Sequence, residues 1–164
     1  MICFHKPEEE NGYLSNWYLS EFTVDSVTFS SMEQYMMYEK ALLFQDQETA
    51  EKILQTDNVA EIKALGRSVK HFDDKIWIKV REEIVYNGVH EKFCQNPELA
   101  ENLEKTGEEI IEECAVKDRI WGAGLSTKDE KRRSIDRGRG QNLLGEILMR
   151  ERADRRNTNQ VAQP

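Results

Sequence analysis

The longest amphipathic stretch of the sequence constrains the fold most. Apolar side chains recur at helical spacing between residues 76 and 89 and continue toward Phe93. Asp73 or Asp74, just before the stretch, can cap a helix. We therefore predict one long helix whose apolar stripe belongs to the core. The stripe consists of Ile76, Trp77, Val80, Ile84, Val85 and Val89.

The N-terminal part of the chain predicts a small β element. Alternating β-prone side chains flank the pair Asp25-Ser26, which suits a hairpin turn. These side chains are Phe22, Val24, Val27 and Phe29. The pattern therefore predicts a short two-stranded element at the start of the fold.

The pattern becomes helical at Ser31, where Ser30 or Ser31 can cap a helix that runs to about Leu43. Further helices are predicted over residues 48–56, 59–66, 98–106 and 142–152, with Gly66 as a left-handed C-cap. The type of the apolar stretch 109–114 stays open. Residues 126–140 are polar and charged, which favours an exposed loop.

Length and charge limit the class of protein. The 164 residues fit one domain, for which we predict the bounds 1–152, followed by a polar, disordered tail over 153–164. No apolar run approaches the roughly 18–20 residues that cross a bilayer, so we expect no membrane partner. The net charge of −8 disfavours a protein that coats nucleic acid but permits a basic pocket for one phosphorylated ligand.

The N-terminus and the cysteines predict the compartment. The first ten residues lack the basic start and apolar middle of a secretory signal. Cys3, Cys94 and Cys114 form an odd, widely spaced set without metal-binding spacing. We therefore expect a reducing cytoplasm, no disulfide framework, no metal and no cofactor. The oligomeric state is not predicted.

The helix that starts at Ser31 carries the first candidate chemistry. Glu33, Met36, Met37 and Lys40 are spaced by three or four residues and share one helix face. One interpretation is that the two charges are ordinary surface groups beside core methionines. The other is that partial burial shifts their pKa values, which would make Glu33 an acid or base and Lys40 a nucleophilic amine.

Two other segments combine aromatic and polar side chains. Asp118 precedes Trp121 by three residues, and the following glycines, Gly122 and Gly124, allow backbone to approach a ligand. The segment 12–18 places Asn16 among aromatics that can sandwich a base. A tight turn with a core tryptophan, and ordinary core aromatics, are the alternatives.

Two weaker signals point to an anion. The segment 138–142 precedes a helix N-terminus, which presents free amides, although Asn142 also suits a plain N-cap. Arg67 can bind phosphate bidentately or form a surface salt bridge.

Read together, these segments resemble the NADAR family, also called the YbiA-like or DUF1768 family. The matching pieces occur in the family's order up to Arg152. They include residues 14–18, 31–41, 65–67, 92–93, 95–97, 103, 106–107, 113, 118, 120–125, 140–145 and 148–149. A departure is Gln34, where many members have histidine.

The resemblance implies a fold and a reaction. It implies an α+β fold, mostly helical, in a single compact domain with a small N-terminal β element. It also implies an enzyme that hydrolyses N-glycosidic bonds. The substrates would be phosphoribosylamino-pyrimidine intermediates of riboflavin synthesis, or DNA or RNA carrying ADP-ribose on guanine. The partners would thus be ADP-ribose-containing or phosphoribosyl small molecules, or ADP-ribosylated nucleic acid.

The resemblance also implies site residues. Glu33 and Lys40 would form the catalytic centre with Asp118 as an acidic partner. The residues implied at the ligand are Asn16, Trp17, Arg67, Glu113, Trp121, Gly122, Gly124 and Asn142. Asn142 is included on the helix N-terminus argument. A module that binds ADP-ribose or a nucleotide without cleaving it is the alternative function.

Overall fold

The computed structural model describes residues 1–129 and 140–162, and within them the chain forms two compact units. One unit comprises residues 16–97, and the other combines residues 1–15 with the chain from residue 98 onward. The helices are α1 (Met32–Leu43), α2 (Gln47–Leu54), α3 (Val59–Arg67), α4 (Asp74–Gln95), α5 (Pro97–Lys105) and α6 (Leu143–Val161). The strands are β1 (Ile2–Phe4), β2 (Leu19–Val24), β3 (Val27–Ser31) and β4 (Ile111–Glu113).

The unit of residues 16–97 is a hairpin packed with four helices. Strands β2 and β3 pair antiparallel with Phe22 opposite Phe29. Asp25 and Ser26 both adopt positive φ, as a tight two-residue hairpin turn requires. The predicted hairpin and its turn are confirmed. Helix α1 packs against β3, α2, α3 and α4, so it lies at the centre of this unit.

Helix α1 begins at a well-made cap. The Ser31 hydroxyl accepts a hydrogen bond from the Gln34 backbone N–H at 3.1 Å, so Ser31, and not Ser30, is the cap of the two that the sequence allowed. The Gln34 side-chain oxygen accepts from the Ser30 backbone N–H, and its amide donates to the carbonyls of Ile53 and Thr56. Gln34 therefore ties the start of α1 to the end of α2.

The connection between α3 and α4 is anchored by Asp46, the N-cap of α2. The Asp46 carboxylate accepts from the N–H and hydroxyl of Thr49 and from the Lys70 N–H at 2.9 Å. These hydrogen bonds, with that from Lys70 the largest cause, lower the pKa of Asp46 to about 2. A polar side chain thus fixes a stretch of chain that has no regular structure.

Helix α4 confirms the predicted long helix, with Asp73 as its N-cap. Trp77, Val85 and Val89 are buried, as expected of the stripe. Val80 and Ile84 are only half-buried, and Ile76 is 46% exposed, so the stripe is core only in part. Ile76 lies in the first turn of the helix, beside the buried Trp77.

The second unit is organised around two strands that are distant in sequence. Strand β1 pairs parallel with β4, and Cys3 lies opposite Glu112. The residue after β4, Cys114, forms a disulfide with Cys3, with 5.9 Å between the Cα atoms. The expectation of no disulfide is therefore wrong. A separation of 111 residues hid the pair, because only the β1–β4 pairing brings the two cysteines together.

The C-terminal helix is longer than its sequence suggested. The expectation of a disordered tail from residue 153 is corrected, since α6 continues to Val161. Arg156 bonds to the Gly107 carbonyl and pairs with Glu108, while Arg155 lies 3.6 Å from a Glu104 oxygen. Charged side chains stabilise this part of α6 where apolar ones are few.

One smaller expectation is corrected, and another lies mostly outside the described residues. Gly66 lies inside the last turn of α3, and Ser68 is the C-cap, so Gly66 is not a left-handed cap. The position requires a glycine, because a Cβ there would overlap the Met37 side chain of α1. Most of the exposed loop predicted at 126–140 lies outside the described residues. No helix in the described chain is long and apolar enough to span a membrane.

Candidate active site

The predicted site residues are divided between the two units. Asn16, Trp17, Glu33, Lys40 and Arg67 belong to the unit of residues 16–97. The other unit holds Glu113, Asp118, Trp121, Gly122, Gly124 and Asn142. Within each unit, hydrogen bonds or charges connect most of these residues.

One face of α1 is chemically unusual. Glu33 is only 5% exposed, and Met36 and Met37 beside it are also buried. Carboxylates are seldom buried unless they are paired, so the interpretation of Glu33 as a surface charge is wrong. Lys40, two turns further along α1, is half-buried, and the charges of Glu33 and Lys40 attract each other.

Two contacts hold the Lys40 amine at the end of this face. It donates a hydrogen bond to the Gly66 carbonyl at 2.8 Å, and its Nζ lies 4.5 Å from the centroid of the Phe72 ring. Burial lowers the pKa of the Lys40 amine, while Glu33 raises it, Arg67 lowers it and Asp74 raises it. A lowered pKa increases the fraction of amine that is free to act as a nucleophile.

Asn16 and Trp17 lie close to the start of α1. The Asn16 carbonyl accepts from the Glu33 backbone N–H at 2.9 Å, and Asn16 is buried. One of the first-turn amides of the helix, which lacks a partner within the helix, is satisfied in this way. The Trp17 ring lies 5.7 Å from the Lys63 amine of α3. Arg67, one turn after Lys63, is exposed.

The segment 118–124 is a loop that is built around one carboxylate. Asp118 Oδ1 accepts from the backbone N–H groups of Ile120 and Trp121, each at 2.9 Å, and of Gly122 at 3.4 Å. Gly124, with φ of +69°, donates its N–H to the Asp118 carbonyl. This oxygen of Asp118 therefore organises the loop that carries Trp121.

Glu113 and Asn142 connect this loop to β4 and α6. The Glu113 carbonyl accepts from Ala123 N–H at 2.8 Å, and Gly122 is packed so closely that a Cβ would lie 2.9 Å from the Asp118 carbonyl oxygen. The Asn142 side chain accepts from Glu113 N–H and donates to the Ile111 carbonyl. Asn142 stands at the N-cap of α6, yet its side chain makes no capping bond. Its amide instead holds β4.

Several residues of these surroundings were not among the predicted site residues. Phe72 and Lys63 contact predicted residues, but a single aromatic or lysine carries no distinguishing signal in a sequence. Burial, together with the charge of Asp25, raises the pKa of Glu39 on α1. Only the folded arrangement separates these side chains from similar ones elsewhere.

Comparisons with known proteins show which sequences are similar to this chain. The model of the NADAR domain family matches residues 3–156. An N-glycosidase of Acanthamoeba polyphaga mimivirus is 41% identical over 126 residues, which cover 77% of this chain and 74% of the viral protein. A riboflavin biosynthesis protein of Vibrio vulnificus is 33% identical over 93% of this chain, and the match spans 38% of that protein.

The fold is shared with a solved structure. The NMR structure of the Escherichia coli protein YbiA superposes with a TM-score of 0.79 at 24% identity, covering 99% of this chain and 88% of YbiA. The predicted α+β, mostly helical fold is thereby confirmed. Proteins named N-glycosidase thus recur among the relatives. The family model and the viral relative together show that the chain belongs to the NADAR family.

Proposed function

We propose that this protein is an N-glycosidase that hydrolyses the bond between an ADP-ribose or phosphoribosyl group and a nucleobase-like amine. The observation that carries the proposal is the face of α1, on which a buried carboxylate, Glu33, and a half-buried amine, Lys40, lie two turns apart. Relatives named N-glycosidase and riboflavin biosynthesis protein support this reaction class.

Glu33 suits the charge that develops during the reaction. Breaking a glycosidic C–N bond leaves positive charge on the sugar, and a carboxylate stabilises that charge. In a water-poor setting this attraction is stronger than in bulk water. Water supplies a hydroxyl to C1 of the sugar and a proton to the departing base, so that the products are a free sugar and a free base.

Lys40 offers a covalent route to the same products. A neutral amine attacks C1, the C–N bond to the base breaks, and one amine proton passes to the departing base. The second amine proton passes to the ring oxygen as the sugar ring opens to a Schiff base, and water then hydrolyses the C=N bond to restore the amine and the sugar carbonyl. Because burial lowers the pKa of Lys40, the neutral amine is more abundant near neutral pH than for an ordinary lysine. On this route the rate rises with pH through the pKa of Lys40.

We assign Asp118 to the architecture of its loop, because one of its oxygens is occupied by three backbone amides. Trp121 and the adjacent glycines then provide a ligand surface. Arg67 and Asn16 are proposed to contact the phosphate and the sugar. We expect the protein itself to supply all catalytic groups.

The test measures release of base and sugar from two kinds of substrate. ADP-ribosylated guanosine, DNA and RNA are assayed beside a phosphoribosylamino-pyrimidine, with Glu33→Gln as the inactive variant. We expect release from at least one substrate and a loss of at least 100-fold in Glu33→Gln, the size of a lost charge-stabilising group. Borohydride added during turnover should trap a sugar on Lys40 and none in Lys40→Arg.

Two results would contradict the proposal. If no substrate is cleaved while ADP-ribose still raises the melting temperature, the protein is a binding module. If Lys40→Ala releases base at the normal rate, the covalent route is wrong and direct attack by water remains. Circular dichroism of each variant separates loss of chemistry from loss of fold.

A further inference from the structure

Phe72 is an exposed aromatic side chain with a defined position. The residue is 43% exposed, although it lies only one residue before the cap of α4. It packs edge-on against the buried Phe44, with 5.3 Å between ring centroids. Leaving so much of a phenyl ring in water forgoes burial energy, so its position calls for another reason.

The short connection that carries Phe72 is held on both sides. Upstream, Lys70 donates its backbone N–H to Asp46, and Val69 is buried. Downstream, the Asp73 carboxylate accepts from Lys75 N–H at 2.9 Å. His71 between them adopts the left-handed conformation with φ of 60°, which turns the chain at Phe72. The ring is therefore presented by an anchored turn and not by a loose loop.

The Phe72 ring meets the Lys40 amine. The separation of 4.5 Å between Nζ and the ring centroid is well within the distance of about 6 Å at which a cation is attracted to an aromatic face. The Gly66 carbonyl holds the same amine from α3. A lysine that is fixed by two contacts loses less freedom on reaching a substrate than one that moves in solvent.

We propose that Phe72 is a positioning residue for Lys40, whose ring face holds the ammonium form beside the Gly66 carbonyl between turnovers. This inference rests on the proposed function, since it takes Lys40 as the reacting amine. It assigns Phe72 a role that none of the predicted site residues shares.

The proposal predicts the direction in which the pKa of Lys40 shifts when Phe72 is replaced. The charged groups that act on the amine are Glu33 on its own helix, Arg67 at the end of α3 and Asp74 at the start of α4. The negative face of the ring adds a further preference for the ammonium. Replacing Phe72 by leucine keeps most of the apolar bulk but removes that face. The pKa of Lys40 should fall by about half a unit in Phe72→Leu, the value of an exposed cation–π contact.

The experiment titrates Lys40 directly by NMR in the full-length protein with ¹³C-labelled lysine, and Lys40→Arg assigns the signal. Phe72→Tyr keeps the aromatic face and should leave the midpoint unchanged. Leu19→Ala is a matched control, because it removes an exposed apolar side chain (60% exposed) from the hairpin. The pH profile of base release is recorded in parallel, and its midpoint should shift with that of Lys40.

The possible outcomes distinguish failure of this inference from failure of the proposed function. A lower midpoint in Phe72→Leu alone supports the inference, whether or not any tested substrate is cleaved. An unchanged or higher midpoint overturns it, as does a raised KM with an unmoved midpoint, which would mean that the ring contacts the ligand instead. Failure of the wild-type protein to release base from any substrate counts against the proposed function and not against the contact.

Discussion

Helix α1 and the loop at residues 118–124 both carry polar side chains, but their backbone N–H groups find hydrogen-bond partners in different ways. In α1 the helix bonds its own amides, and two of the N-terminal ones donate to the Ser31 hydroxyl and the Asn16 carbonyl. In the loop, three consecutive amides depend on the Asp118 side chain. The helix thus satisfies its backbone without the Glu33 carboxylate, whereas the loop depends on the carboxylate of Asp118.

This difference explains why residue type alone is a poor guide to role. Glu33 and Asp118 look equally catalytic in the sequence, since each is an acid near an aromatic or apolar group. The backbone around each one distinguishes them. Where a carboxylate only accepts hydrogen bonds from loop amides, we expect the loop to keep its structure when the charge is removed, provided that an oxygen acceptor remains.

The largest effect that we expect comes from removing the disulfide bond of the unit that contains residues 118–124. Cys3→Ser removes the bond to Cys114, which closes a loop of 111 residues. Under non-reducing conditions the variant should lose about 3–5 kcal/mol of unfolding free energy, measured by urea denaturation. Cys94→Ser, at an exposed cysteine outside the disulfide, should change little. Equal stability of Cys3→Ser and wild type would show that the β1–β4 pairing needs no cross-link.

A smaller effect should separate the two roles of carboxylates. Asp118→Asn keeps an oxygen acceptor for the loop amides and should retain kcat/KM within about tenfold. Asp118→Ala leaves the loop amides without an oxygen acceptor. Its kcat/KM should fall about 100-fold, because Trp121 is displaced. Assays beside Glu33→Gln, which should be inactive, make the comparison direct. If Asp118→Asn were as inactive as Glu33→Gln, the loop carboxylate would take part in the chemistry after all.

The smallest effect concerns a buried cation in the unit of residues 16–97. Lys92 is 1% exposed, and burial lowers its pKa to about 7. Between pH 7 and the ordinary lysine value, the unfolded chain binds a proton that the folded chain does not, so stability rises with pH. Wild type should therefore gain about 1 kcal/mol per pH unit relative to Lys92→Met above pH 7. Denaturation of both proteins from pH 7 to 9 measures this, and parallel curves would refute it.

The sequence predicted the parts of this protein that are local. Ser31 as a cap, the Asp25-Ser26 turn and the long helix after Asp73 depend on neighbours within a few residues, and the structure confirms all three. Burial of Glu33 was one of two open interpretations, because spacing shows which side chains share a helix face but not what covers that face.

Long-range features could not be predicted in the same way. The Cys3–Cys114 disulfide depends on a parallel strand pair, and strand β4 is only three residues long. The contact of Phe72 with Lys40 depends on how Asp46 holds the α3–α4 connection. The end of α6 was missed because charged pairs, not apolar periodicity, support it. Each case joins residues whose sequence separation gives no periodic signal.

The order of the chain has a consequence for folding during synthesis. Residues 16–97 form one unit from a continuous stretch of chain, so all of its residues are synthesised before strand β4. Strand β1 is made first but pairs with β4, whose residues emerge more than a hundred positions later. At typical rates of translation this strand waits roughly 5–20 s for its partner. Throughout that interval Cys114 has not been synthesised, so Cys3 cannot yet form its disulfide.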